Sequence, residues 1–194
     1  MPEIDYIELL GFITGVAGVW LAAKEISWNW PVGIINVCIY TFIFFKSQLY
    51  GDMGLQLFYI VIGFYGWYSW LKKSNTSTDF ETHISKTPVN AAAYILITSL
   101  VGFFIVFFIL KKAGSSVLVL DTITTVLSIS ATWMMAKKFI EHWFLWIFVD
   151  AVYIAVYIYK MLYLTAILYF VFVLLAIYGY VKWKKIMTQA QTNH

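Results

Sequence analysis

Charge is scarce in this chain of 194 residues: 12% of them are charged, and none is arginine. Soluble domains carry roughly 25% charged and 45–50% apolar residues. Here 62% are hydrophobic and the mean hydropathy is +0.80. That balance excludes a soluble globular domain and indicates an integral membrane protein. The formal net charge of +3 is spread over loop lysines, which argues against a nucleic-acid partner. Cysteine occurs once, at Cys38 inside an apolar run, so neither a disulfide framework nor a cysteine-based metal site is available. The opening MPEIDYIE is acidic where a signal peptide would be basic, and no cleaved leader is expected. His83 has no second ligand at metal spacing and is expected to be solvated. No metal, cofactor or catalytic residue is expected.

What the chain does have is aromatic residues, 20% of the total, more than interfacial belts require. The surplus leaves rings free to line a binding site. Seven apolar stretches, roughly 6–23, 29–45, 53–71, 89–110, 117–136, 140–159 and 162–181, predict seven transmembrane helices. Between the third and fourth lies LKKSNTSTDFETHISKTP, expected to be an exposed polar loop. Lys46, Lys111, Lys112 and Lys160 fall on the side of the N-terminus, and the other nine lysines on the opposite side. The excess of positive charge predicts a cytoplasmic C-terminus and an outside N-terminus.

An internal repeat organises the chain. Its offset is 113, the step from Trp30 to Trp143. The same step pairs Trp20 with Trp133, Ala23–Lys24 with Ala136–Lys137, Tyr40 with Tyr153 and Leu49–Tyr50 with Leu162–Tyr163. It also pairs Tyr65–Gly66 with Tyr178–Gly179 and Trp70 with Trp183. Helices 1–3 then correspond to helices 5–7, with helix 4 left over. Four spans separate corresponding helices, so the halves are expected to enter the membrane in the same direction, as 3+1+3 parallel repeats with substrate between them near the midplane. The expected organisation is a first repeat over 1–71, a polar cytoplasmic loop over 72–88 and a linker helix over 89–112. A second repeat over 113–185 and a cytoplasmic tail over 186–194 complete one transport domain.

The stretch WFLWIFVDAVYIAVYIY, from Trp143 to Tyr159, carries a single carboxylate, Asp150, with no lysine beside it. An Asp at that depth costs at least about 2.5 kcal/mol unless it faces protein or water. On a helix Trp143, Trp146, Asp150, Tyr153 and Tyr157 share one face. An aromatic face beside a carboxylate is suited to a desolvated cation, so this face is expected to line a cavity for a small polar or cationic molecule. The structural alternative is a buried carboxylate with a packing role, and for Trp143 an interfacial anchor. Asn36, just past Pro31, is either an interhelical hydrogen-bond partner or a substrate contact. Gln56, Tyr59, Gly63 and Trp67 share a face of the third helix, which fits a binding face or plain helix packing. Asp121 and Glu8, paired across the repeat, sit near helix starts where the dipole favours them. Glu141 and His142 are expected at a membrane edge, facing headgroups or water.

WNWPVGIINVCIYTFIFFKSQLYGDMGLQLFYIVIGFYGWYSW and KKFIEHWFLWIFVDAVYIAVYIYKMLYLTAILYFVF resemble the PnuC family of vitamin transporters, a likeness that spans essentially the whole chain. The Asn36 context, the LYxxxxLQ ending at Gln56 and the GWYxW from Gly66 carry it. The resemblance implies an all-α, SWEET-like 3+1+3 fold, a homotrimer in the bacterial inner membrane, and uptake of nicotinamide riboside, thiamine or another vitamin. It also implies facilitated diffusion, with a cytoplasmic kinase trapping the product as a functional partner. Trp146, Asp150, Asn36 and Gln56 match its substrate contacts. Asp150 departs from the Asn that riboside transporters typically carry there. An ionised Asp only accepts, whereas ribose diols want donors as well. The chain is also short for a riboside transporter, without an added N-terminal segment. The sequence therefore favours thiamine, with nicotinamide riboside as the alternative.

Two other classes fit worse. An intramembrane aspartyl protease needs two facing Asp residues at mid-membrane, and Asp121 is too near a helix end. A retinal-type seven-helix receptor needs a lysine in mid-helix, yet Lys160 and Lys182 lie at helix ends, and the repeat has no place in that fold.

Overall fold

The computed structural model describes residues 6–46, 50–76, 84–114, 117–159, 161 and 163–192. Its helices are α1 (Tyr6–Ala23), α2 (Asn29–Lys46), α3 (Tyr50–Thr76), α4 (Val89–Ala113), α5 (Leu118–Ala136), α6 (His142–Tyr159) and α7 (Tyr163–Thr192). Among the described residues, four stretches are long and apolar enough to cross a membrane: Val89–Ala113, Leu118–Ala136, His142–Tyr159 and Ala166–Ala190. A shorter apolar helix covers Leu9–Ala23. This is an all-helical, multi-pass membrane protein.

Helix starts lie within about three residues of the sequence expectation, but two ends move. The third helix continues past Leu71 to Thr76, and the seventh continues through the expected tail to Thr192. Apolarity marks the membrane-facing part of a helix, whereas Lys, Met, Gln and Ala beyond it propagate the backbone ladder in water just as well. Residues 1–5, Leu49, His83, Lys160 and Leu162, on which sequence expectations fell, lie outside the described residues, as does the Glu8 side chain.

Packing divides the chain into two units, Met1–Ser77 and Thr78–His194. In the first, α2 packs on α1 and α3. In the second, α6 packs on α5 and α7, and α4 lies on α5. Helix α4 groups with the second unit. Ser99 and Ser130 hydroxyls bond at 2.9 Å, and the rings of Tyr94 and Trp133 lie 6.1 Å apart. The rest of α4, including Leu96, Ile97, Leu100 and Phe104, is exposed apolar surface suited to lipid.

Local geometry recurs at the 113-residue step. The α1–α2 connection holds Glu25 at φ 60°, and the α5–α6 connection holds its counterpart Lys138 at φ 61°. Ile26 N donates to Leu21 O as Phe139 N donates to Met134 O, both at 3.0 Å. The indole of Trp30 lies over Gly66, and that of Trp143 over Gly179. Trp30 meets Trp70 edge-on, with centroids 5.7 Å apart, and Trp143 meets Trp183 likewise at 5.6 Å. A glycine under each indole is required because a Cβ there would overlap the ring. Each half therefore locks its second helix to its third through the same tryptophan–glycine seat.

This packing corrects two expectations. Trp143 is 1% exposed and sits in the core, not at a headgroup interface. His142 is fully buried, its ring 4.4 Å from Trp143 and 4.9 Å from Trp183, and its Nδ1–H donates to Phe139 O at 2.7 Å. Histidine's polarity is tolerated there because one ring nitrogen closes the turn while the ring packs between indoles. Glu141 turns instead to the segment before α4. Its Oε2 accepts from Thr87 N at 2.9 Å and Thr87 Oγ1 at 2.7 Å. Ser85 bridges Phe139 alongside, so residues 84–88 are clasped to the α5–α6 connection.

Candidate functional site

Asp150 lies midway along α6 and is 5% exposed. Among the described residues its carboxylate makes neither a hydrogen bond nor an ion pair. Neither lysine nor arginine occurs on α6. A buried carboxylate without a partner is among the costliest groups a helix can hold, and a membrane core makes it costlier still.

Around it the aromatic face of α6 continues. Trp146, one turn before Asp150, is half-buried. Tyr153 and Tyr157, one and two turns after it, stack with centroids 5.9 Å apart and planes inclined 29°. A third phenol arrives from α7. Tyr169 stands 5.0 Å from Tyr153 and 5.2 Å from Tyr157. The Tyr153 hydroxyl lies near the Thr124 side chain on α5. Sequence reasoning placed Tyr153 and Tyr157 on the Asp150 face but missed Tyr169 and Thr124. The missed signal was the repeat itself, because the 113-residue step carries Gln56 onto Tyr169.

Helix α5 supplies the polar backing. Thr122, Thr124, Thr125, Ser128, Ser130 and Thr132 are all buried along it. Four of these hydroxyls donate to the carbonyl four residues earlier, at 2.7–3.0 Å, which lets them sit in an apolar environment without open donors. Together α5, α6 and α7 present one carboxyl group, three phenols and an indole, a set suited to a flat cationic ring bearing hydroxyls.

The remaining expected site residues belong to the first unit. Asn36, half-buried on α2, donates through Nδ2 to Gly11 O at 2.6 Å and to Thr14 Oγ1 at 3.0 Å. Both of its donors are committed to holding α2 on α1, so a further role would fall to its carbonyl oxygen. Gln56 and Tyr59 are half-buried on α3. Gly63, on the same face, takes Ile34 of α2 against its backbone, which is helix packing.

Three relatives and one solved structure are similar over most of the chain. Nicotinamide riboside transporter PnuC of Escherichia coli (strain K12) is 27% identical, with 93% of this chain and 86% of that protein covered. PnuC of Neisseria mucosa is 28% identical, covering 94% of this chain and 73% of its own. The riboflavin/roseoflavin transporter RibM of Streptomyces davaonensis is 25% identical, covering 77% and 71%. The crystal structure of the vitamin B3 transporter PnuC superposes with a TM-score of 0.76 at 26% identity, covering 95% of this chain and 83% of that one. Residues 5–185 match the family described as nicotinamide mononucleotide transporter. The chain belongs to that family, and is a membrane transporter and not an enzyme.

Proposed function

We propose that this transporter takes up nicotinamide riboside, a pyridinium cation, with Asp150 facing the cationic ring. The observation that carries the reading is a buried carboxyl group, without a hydrogen-bond or ion-pair partner among the described residues, on a helix face that also carries an indole and a cluster of phenols. A cation leaving water must be matched, and a carboxylate with aromatic faces does so in a site of low dielectric. The relatives named for nicotinamide riboside support the choice of ring.

Thiamine, favoured by the sequence, gives way here. That preference assumed that ribose hydroxyls would meet only a carboxylate. Tyr153, Tyr157 and Tyr169 bring phenolic O–H groups beside Asp150, so donors and acceptors are both at hand. The mononucleotide of the family's description fits less well. Its phosphate would need cationic partners, yet the chain has no arginine and α6 neither lysine nor arginine. Riboflavin, the cargo in the name of the Streptomyces relative, is neutral and leaves the carboxylate unmatched.

In this reading Asp150, Trp146 and Tyr153 contact substrate from the second half, and Asn36 (through its carbonyl), Gln56 and Tyr59 from the first. The helices form SWEET-like 3+1+3 parallel repeats with the N-terminus outside and the C-terminus in the cytoplasm, in a homotrimer in the bacterial inner membrane. Transport is facilitated diffusion, with a cytoplasmic kinase trapping the product. Proton uptake and release at Asp150 is the one route to ion coupling.

The test compares nicotinamide riboside with its neutral dihydro form, using purified protein and calorimetry. Asp150→Asn keeps the shape and removes the charge. It should cut the preference for the cation by about 1–3 kcal/mol, the cost of leaving a buried polar group without its partner, while still binding both ligands. Asp150→Leu should lose both. An unchanged preference in Asp150→Asn would make the carboxylate structural.

A further inference from the structure

Three tyrosines meet at the Asp150 end of the α6–α7 contact, and they make more than a packing seam. Tyr153 and Tyr157 follow Asp150 along one face of α6, while Tyr169 comes from the opposite helix. Their centroids lie 5.0–5.9 Å apart pairwise, so each ring touches both others. Tyr169 also touches Phe172 at 5.6 Å on α7. Phenols in the interior of a lipid-spanning bundle carry a polar atom that Phe would not, and membrane interiors select against that without a use for it. Tyr153 and Tyr169 lie more than a turn inside their helices, away from the ends where interfacial anchors sit, while Tyr157 falls in the last turn of α6.

Register adds a second, independent observation. The tryptophan–glycine seats fix α3 against α2 and α7 against α6 in the same alignment. The step that maps Gly66 onto Gly179 maps Gln56 onto Tyr169. One half therefore has an amide, and the other a phenol, at the equivalent position of its third helix.

We propose that Tyr169 is a specificity-determining residue: with Tyr153 and Tyr157 it forms an aromatic wall on the far side of Asp150 from Trp146, selecting flat cationic rings over neutral ones. This rests on the reading of Asp150 as facing the substrate. A cation held by the carboxylate meets an electron-rich ring on each side, and a neutral ring of the same shape gains only contact area.

The experiment measures, in detergent-purified protein, the affinity ratio of nicotinamide riboside to its neutral dihydro form, with thiamine as a second cationic probe. Tyr169→Leu keeps apolar bulk and removes the ring. The ratio should fall about 3- to 30-fold, the span of a cation–π contact, with affinity for the neutral ligand nearly unchanged. Tyr169→Phe keeps the ring face and should hold the ratio within about twofold. Should the Leu variant fail to purify as a folded species, Tyr169→Gln, the first-half residue, takes its place with the same expected fall. A merely structural Tyr169 would weaken both ligands together or neither, and that result overturns the proposal. A change in ratio for Asp150→Asn without one for Tyr169→Leu sinks this inference and leaves the transport reading standing. A parent protein that binds neither cation sinks both.

Discussion

Adding one methyl group at Gly179 should destabilise the second unit, and the size of the effect follows from the seat beneath Trp143. A Cβ built there meets Trp143 Cζ2, Cη2 and Cε2 at 2.5, 2.7 and 2.8 Å, against an ordinary contact of 3.4–4 Å. The indole is 1% exposed, with His142 at 4.4 Å and Trp183 edge-on at 5.6 Å, so it has no open side to move into. Overpacking of this kind costs about 1–3 kcal/mol, and the walled ring argues for the upper half. Replacing a helical glycine by alanine returns about 0.5–1 kcal/mol. The net loss is then about 1–2.5 kcal/mol, or about 2–10 °C in Tm for a chain of this length. Intrinsic tryptophan fluorescence in detergent reads the melt directly. Gly102→Ala is the control, because its Cβ meets only Val126 Cγ2 at 4.0 Å. It should melt at or slightly above the parent. The three clashing atoms all belong to the six-membered ring of the indole, so Trp143→Phe in the Gly179→Ala background should recover part of the loss. A Gly179→Ala protein that melts no lower than the parent would refute the seat.

Glu141→Ala removes the acceptor for both Thr87 donors and should lower stability by about 1–3 kcal/mol. Hydrogen exchange should rise over residues 84–88 and 138–141 and change little along α7. Asn36→Ala should destabilise by about 0.6–1.7 kcal/mol, the range for interhelical hydrogen bonds in membranes, measured by thermal melt. Nicotinamide mononucleotide should bind the parent at least about tenfold more weakly than the riboside, worth about 1.4 kcal/mol. Competition calorimetry measures this, and equal affinities would refute the account of the uncompensated carboxylate.

The α6 face was legible because one charge among sixteen apolar or aromatic residues has no innocent place in a membrane helix. The repeat was legible because tryptophan is rare enough for a fixed step between Trp30 and Trp143 to stand out, and the same residues turned out to fasten the helices. His142 was misread, since residue type alone puts histidine at an edge, and only the neighbouring indoles show that a turn can bury it. Tyr169 was invisible for another reason. A tyrosine in an apolar run looks like an anchor until the facing helix is known, and periodicity describes one helix at a time. For Asn36 both readings were open, and the hydrogen bonds to Gly11 and Thr14 fill its donors. The hydroxyls of α5 escaped notice because Thr and Ser spend their polarity on their own backbone.

The tryptophan–glycine seats bear on how such a protein arises. Across the 113-residue step the fastening residues are identical: Trp30 and Trp143, Gly66 and Gly179, Trp70 and Trp183. Positions at and around the carboxylate are not: Gly33 answers Trp146, Val37 answers Asp150, and Gln56 answers Tyr169. A gene encoding one half, assembled from identical copies, would bring either two unneutralised carboxylates or none. A monocation can match only one. Duplication within a single reading frame frees each copy to keep the joinery and change the chemistry, so a laboratory search for new cargo belongs at the mismatched pairs.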